Sequence, residues 1–81
     1  MSASYQVIKK WLEEGIEREA THVIIAVDTW DYENYPIYVN GVKSVRDKIL
    51  HYRSSQDRID EVYNLSIDIE KQLSQERAWN I

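Results

Sequence analysis

One stretch limits what this chain can become: HVIIAVDTWDYENYPIYV, residues 22–39. From Val23 to Val27 every residue is apolar, and most are β-branched, which suits an extended chain. Successive side chains of a strand point to opposite faces. His22, Ile24, Ala26 and Asp28 therefore share one face, and Val23, Ile25, Val27 and Thr29 the other. A strand apolar on both faces is covered on both. The rest of the chain offers little helix for that task, so a partner subunit is expected to cover one face.

The strand runs into TWDYENY, residues 29–35, a loop of turn-forming acids and aromatics. Pro36 then opens a second, edge strand, where a missing N–H is tolerated. Ile37 and Val39 point one way and Tyr38 the other.

Helical spacing surrounds this pair. Over residues 4–19, Tyr5, Ile8, Leu12 and Ile16 recur at three- and four-residue steps, with Ser4 as the expected N-cap. Gly15 lies on that apolar side, where it either ends the helix early or lets another backbone pack close; close packing is expected, because Ile16 continues the stripe beyond it. Asn40 and Gly41 signal a tight turn, leading to a short third strand at Val42 and Lys43 or straight into a helix. Ser44 and Asp47 resemble a capping box for a second helix reaching about Arg53, with Val45, Ile49 and Tyr52 on one stripe. Ser54 and Asp57 repeat that logic. Ile59, Val62, Tyr63, Ile69 and Leu73 then fit one face of a third helix, with a break near Asn64 to Ser66 and Ser66 as a second cap. Trp79 and Ile81 suggest a tail that is tied down, onto its own chain or onto a neighbouring subunit. The expected architecture is a single α+β domain over residues 1–81, in the order α-β-β-α-α, with a short antiparallel β-hairpin packed by helices.

Composition excludes several classes. Eighty-one residues bury a limited core, which favours self-association into a homo-oligomer. No cysteine is present, so disulfides and thiolate metal sites are excluded. No apolar run approaches the ~20 residues of a membrane span, and the first residues lack the apolar core of a signal peptide. A cytoplasmic location is expected. Fourteen acids against ten bases give a net charge of −4, which disfavours a hold on polymeric nucleic acid.

Catalytic patterns are sparse. His22 and Asp28 would make an acid–base pair, but six residues of strand put them about 20 Å apart. His51 stands beside Tyr52 with no partner pattern of its own. There is no nucleophile motif and no phosphate loop. Asp28, Asp31 and Glu33 carry the carboxylates a divalent cation prefers, without the glycine and distal glutamate of an EF-hand. The chain is expected to be a non-enzyme with no cofactor, and a divalent-metal hydrolase built on those three acids is the alternative.

Binding is better supported. Trp30, Tyr32, Tyr35 and Tyr38 cluster with acids. Flat aromatics beside hydrogen-bonding acids suit a planar ligand such as a nucleobase. Trp30, Tyr32 and Tyr35 are the expected stacking residues, and Asp28, Asp31 and Glu33 the acceptors for amino or ribose groups. Arg46, near the start of the second helix with Lys43 and Lys48 nearby, is the expected phosphate contact.

The segment THVIIAVDTWDYENYPIYV, followed by SVRDKI and VYNLSIDIEKQL, resembles a group of short uncharacterised proteins of phages and bacterial mobile elements. The resemblance runs from about Glu14 to Trp79. It implies a setting: small phage proteins of this kind often inhibit host defence, by binding a defence protein or by sequestering a signalling nucleotide. The expectation is a counter-defence protein in the host cytoplasm that sequesters a nucleotide-derived signal. A protein–protein inhibitor of a host defence protein, using the same aromatic loop as its anchor, is the rival.

Overall fold

A computed structural model describes residues 4–81. The elements run α1 (Tyr5–Glu17), β1 (His22–Asp28), β2 (Glu33–Val39), α2 (Val42–Tyr52), β3 (Arg58–Asn64) and α3 (Ile69–Leu73). The class is α+β, as expected, but the order is α-β-β-α-β-α. The hairpin is part of a three-stranded antiparallel sheet, β2-β1-β3, with β1 in the centre.

The third strand stands where a helix was expected, and the reason is a β-bulge. Ile25 pairs with Glu61 but Ala26 pairs with Ile59, so Asp60 has no partner on β1. The extra residue shifts the two-residue alternation by one. Ile59 and Val62, three apart, then pack on the same side, while Tyr63 packs on the other. A bulged strand thus copies the three-residue spacing of a helix.

Both faces of β1 are covered by the chain itself. Ile24, Val39, Val45 and Val62 form a core with Ile37, Ile49 and Ile59 under α2. Leu12, Val23, Ile25, Tyr63 and Ala78 form the opposite core under α1 and α3. The two-sided apolar strand therefore needs no partner subunit, contrary to the expectation. The sequence count fell short because α3 and the tail were not placed on the α1 side.

The expected α1 is present, and Ser4 caps it by accepting the Val7 N–H at 3.3 Å. Gly15 does mark a close approach. A Cβ there would sit 2.7 Å from Val23 Cγ2 and 3.0 Å from Leu65 Cδ1. α2 starts at Val42, earlier than expected, with Gly41 at the N-cap and no side-chain cap. Ser44 is inside the helix, so the capping-box expectation fails. Gly41 takes φ 95°, the left-handed region that glycine accepts, and turns the chain straight into α2. The break after β3 is real, but Asp68 rather than Ser66 caps α3, by accepting the Glu70 N–H at 3.0 Å. Ser66 instead donates to Asn64 Oδ1.

The tail is tied to its own chain rather than to a neighbour. Val62 donates its N–H to Ala78 O at 2.9 Å and accepts from Asn80 N at 3.0 Å, a single parallel bridge on the β3 edge. Gln72, buried on α3, locks the junction: its amide accepts from Asn64 N and Asn80 Nδ2 and donates to Asn64 O. One side chain thereby joins β3, α3 and the tail.

Candidate ligand-binding groove

The β1–β2 turn is shorter than expected: residues 29–32 connect the strands, and Glu33 to Tyr35 belong to β2. Asp28 organises it. Its Oδ1 accepts the Trp30 N–H at 2.8 Å, and its backbone oxygen accepts the Tyr32 N–H. Tyr32 is held at φ 58°, an unusual conformation for a residue with a side chain. Thr29 Oγ1 donates to Gln56 O at 2.6 Å, which fastens the turn to the α2–β3 connection. The outcome is a pinned, convex turn that displays Trp30, 82% exposed, and Tyr32, 60% exposed, beside exposed Asp31 and Glu33.

Tyr35 goes elsewhere. It shares the α2 side of the sheet with Ile37 and Val39. Its hydroxyl donates to Asp57 and lies 3.4 Å from the Tyr52 hydroxyl. Burial first, and the Asp57 bond second, push its ionisation well above the usual tyrosine range. So Trp30, Tyr32 and Tyr35 do not form one stacking site. Asp28 is occupied in the turn. Among the described residues no three His, Asp or Glu side chains are grouped to hold a metal ion, so Asp28, Asp31 and Glu33 do not converge.

Arg46 lies apart from the turn, in a groove between α2 and the tail. Two adjoining hollows make up this groove. One, of about 490 Å³, is lined by Tyr52, Arg53, Arg58 and Trp79 among others. The second, of about 310 Å³, is lined by Arg46, Ile49, Leu50, Arg53, Trp79 and Ile81. Ile49, Arg53 and Trp79 border both. No residue from Asp28 to Tyr35 lines either hollow.

The groove follows from helical spacing. Arg46, Leu50 and Arg53 recur at steps of four and three, beside the Val45 and Ile49 positions that face the sheet. Their side chains meet the tail where it is bonded to Val62. Arg77 stacks its guanidinium 4.6 Å from the Trp79 ring centre, which fixes the indole as one wall. Leu50 at 59%, Trp79 at 40% and Ile81 at 39% exposure leave an apolar floor open to solvent. Three arginines rim it, and among the described residues no acid lines either hollow.

Chemically, guanidinium groups hold phosphate or carboxylate in two-pronged contacts, and indole and phenol faces stack planar rings. Of the residues anticipated from sequence, Arg46 alone is in this groove. Arg53, Arg58, Tyr52 and Trp79 were not anticipated there. The available signal was the Arg46, Leu50, Arg53 stripe, which sets an exposed leucine between two cations. Compared with protein-family models, curated proteins and solved structures, the chain matches none.

Proposed function

We propose that this chain is a non-enzymatic binding module that sequesters a planar, anionic small molecule of the nucleotide class in the α2–tail groove. The observation that carries this reading is the acid-free rim of Arg46, Arg53 and Arg58 around Trp79, in a chain whose net charge is −4. Cations gathered against the overall charge balance favour an anionic ligand. The combined hollows fall in the few-hundred-Å³ range of small-molecule sites. Trp79 would stack the base, and the arginines would hold the phosphates. The resemblance to small phage proteins supplies the proposed setting, which is interference with a host's nucleotide signal.

A second reading rests on a separate observation. Trp30 is almost fully exposed on a pinned turn flanked by acids. A rigid exposed tryptophan is a common anchor at protein interfaces, and such a turn suits an inhibitor of a host protein.

One experiment separates the two. The protein is melted in the presence of micromolar cyclic nucleotides, cyclic dinucleotides and ADP-ribose-type compounds, and any stabilising ligand is then released by heat and identified. Stabilisation with the ligand returned intact supports sequestration. An altered ligand means catalysis instead. If no nucleotide stabilises the protein and a host protein co-purifies through Trp30, the turn is the working surface.

A further inference from the structure

A second site lies at the start of α2, separate from the groove and not dependent on its assignment. We propose that the cavity between His22 and the N-terminus of α2 binds a small oxyanion, a phosphate or carboxylate group, with His22 Nε2–H as its buried donor.

The cavity has a volume of about 450 Å³. His22, Gly41, Val42, Asn64 and Ser66 line it, with Ile16 and Leu65 among its apolar walls. Two independent observations meet there. The first is the helix end. The first helical bond runs from Val45 N to Gly41 O, so the N–H groups of Val42, Lys43 and Ser44 precede it. Gly41 has no side chain with which to cap them, and the first turn of α2 contains no acid. Space around Gly41 is open: apart from its chain neighbours, no residue has an atom within 4 Å of where a Cβ would stand. Free N–H groups and the helix dipole both favour an anion at such an end.

The second observation is His22 itself. It is 3% exposed, and its Nε2 is buried without a hydrogen-bond partner. A buried polar atom left unpaired costs about 1–3 kcal/mol, and such atoms are rare unless something fills them. The neighbouring bonds bear on what Nε2 offers. Thr21 Oγ1 accepts the Gly41 N–H at 2.7 Å, which leaves its one proton to donate. Two acceptors compete: His22 Nδ1 at 2.8 Å and Val39 O at 3.3 Å. Val39 O already accepts the Thr21 backbone N–H at 3.0 Å. We take the hydroxyl proton to go to Nδ1, so that the neutral imidazole carries its own proton on Nε2; the opposite arrangement, Nδ1–H donating to the hydroxyl and the hydroxyl to Val39 O, would make Nε2 an acceptor, and the tautomer measurement below decides between them. Burial keeps the ring neutral by lowering its affinity for a second proton. The result is a buried N–H donor with no acceptor, on a residue that lines the same cavity as an uncapped helix start. Lys43, exposed, adds a positive charge to that first turn. Because Thr21 bonds both His22 and Gly41, one hydroxyl holds the two halves of the site in register.

The test uses the full-length wild-type protein, labelled with ¹⁵N. A long-range proton–nitrogen spectrum at pH 7.5 reads the His22 tautomer. The protein is then titrated with inorganic phosphate in one arm and acetate in another, with sodium chloride at matched ionic strength as the control. The expected result is a protonated Nε2, saturable shifts at the His22 ring and at the Val42, Lys43 and Ser44 amides, and a melting temperature raised by a few degrees over the chloride control. The arm that saturates at lower concentration names the favoured group. His22→Gln, which keeps an N–H donor on a shorter reach, should weaken saturation at least tenfold, and His22→Leu should abolish it. An unprotonated Nε2 overturns the proposal. So do shifts that match the chloride control, or a water held at Nε2 that neither anion displaces.

Discussion

The β1–β2 turn and the α2–tail groove are both built on tryptophan and tyrosine, yet they differ in shape and sign. The turn is convex, acidic and pinned by local bonds from Asp28. The groove is concave, basic and assembled from segments far apart in sequence: the α2 face and a tail held on β3. They touch through Tyr35, Tyr52 and Asp57 and through Thr29 with Gln56. The contrast shows that aromatic clustering in a sequence does not say which aromatics a ligand meets. Trp30 is the most visible tryptophan in the sequence pattern, but Trp79 is the one with cations and a hollow around it.

Four variants would break or sharpen this contrast. The largest effect is expected from Gln72→Leu, which leaves the Asn64 backbone N–H without its side-chain partner, removes one of the donors to Asn64 O and loosens Asn80. About 3 kcal/mol of stability should be lost in urea unfolding. Groove binding should suffer with it because the tail is a wall, whereas the turn should keep its backbone amide shifts. Arg46→Glu with Arg53→Glu comes next. Nucleotide affinity should fall about 100-fold, or about 2.7 kcal/mol, by calorimetric titration, at little cost in melting temperature because both residues are exposed. Retained affinity would remove the groove from consideration.

Tyr35→Phe tests the link between the two regions. Deleting the hydroxyl leaves Asp57 without that donor and should cost about 1 kcal/mol. The loss should appear in denaturant curves and leave ligand binding within a few-fold. Trp30→Ala is expected to be the mildest, within about 0.5 kcal/mol in stability, because the side chain is exposed. Nucleotide-induced quenching should persist in it through Trp79. If quenching vanishes with Trp30 instead, the turn is the ligand surface and the contrast collapses.

Much of the frame was legible in the residues. Ser4, the Ile8 and Leu12 spacing, and the crowded Gly15 announced α1 and its close approach to the sheet. The alternation of Ile37, Tyr38 and Val39 assigned β2 to its two cores correctly. β3 was hidden because the bulge at Asp60 gives Ile59 and Val62 a helical interval. The partner subunit was invoked because coverage of β1 depends on α3 and the tail, and both are positioned by buried Gln72, a polar residue no apolar pattern registers. The groove was hidden for the same reason, since its walls meet only once the tail is bonded to Val62.

The strand order carries a consequence for how the chain assembles. β1 can pair with β2 at once, across the short turn, but its other edge waits for β3, which arrives only after α2. Closing the longer loop adds little free energy, about 0.6 kcal/mol per doubling of length, but it takes a later step. During that interval Val23 to Val27 present an unpaired row of backbone groups on the most apolar segment of the molecule. Dilute conditions therefore favour refolding, since the same edge that β3 will claim is open to another nascent copy.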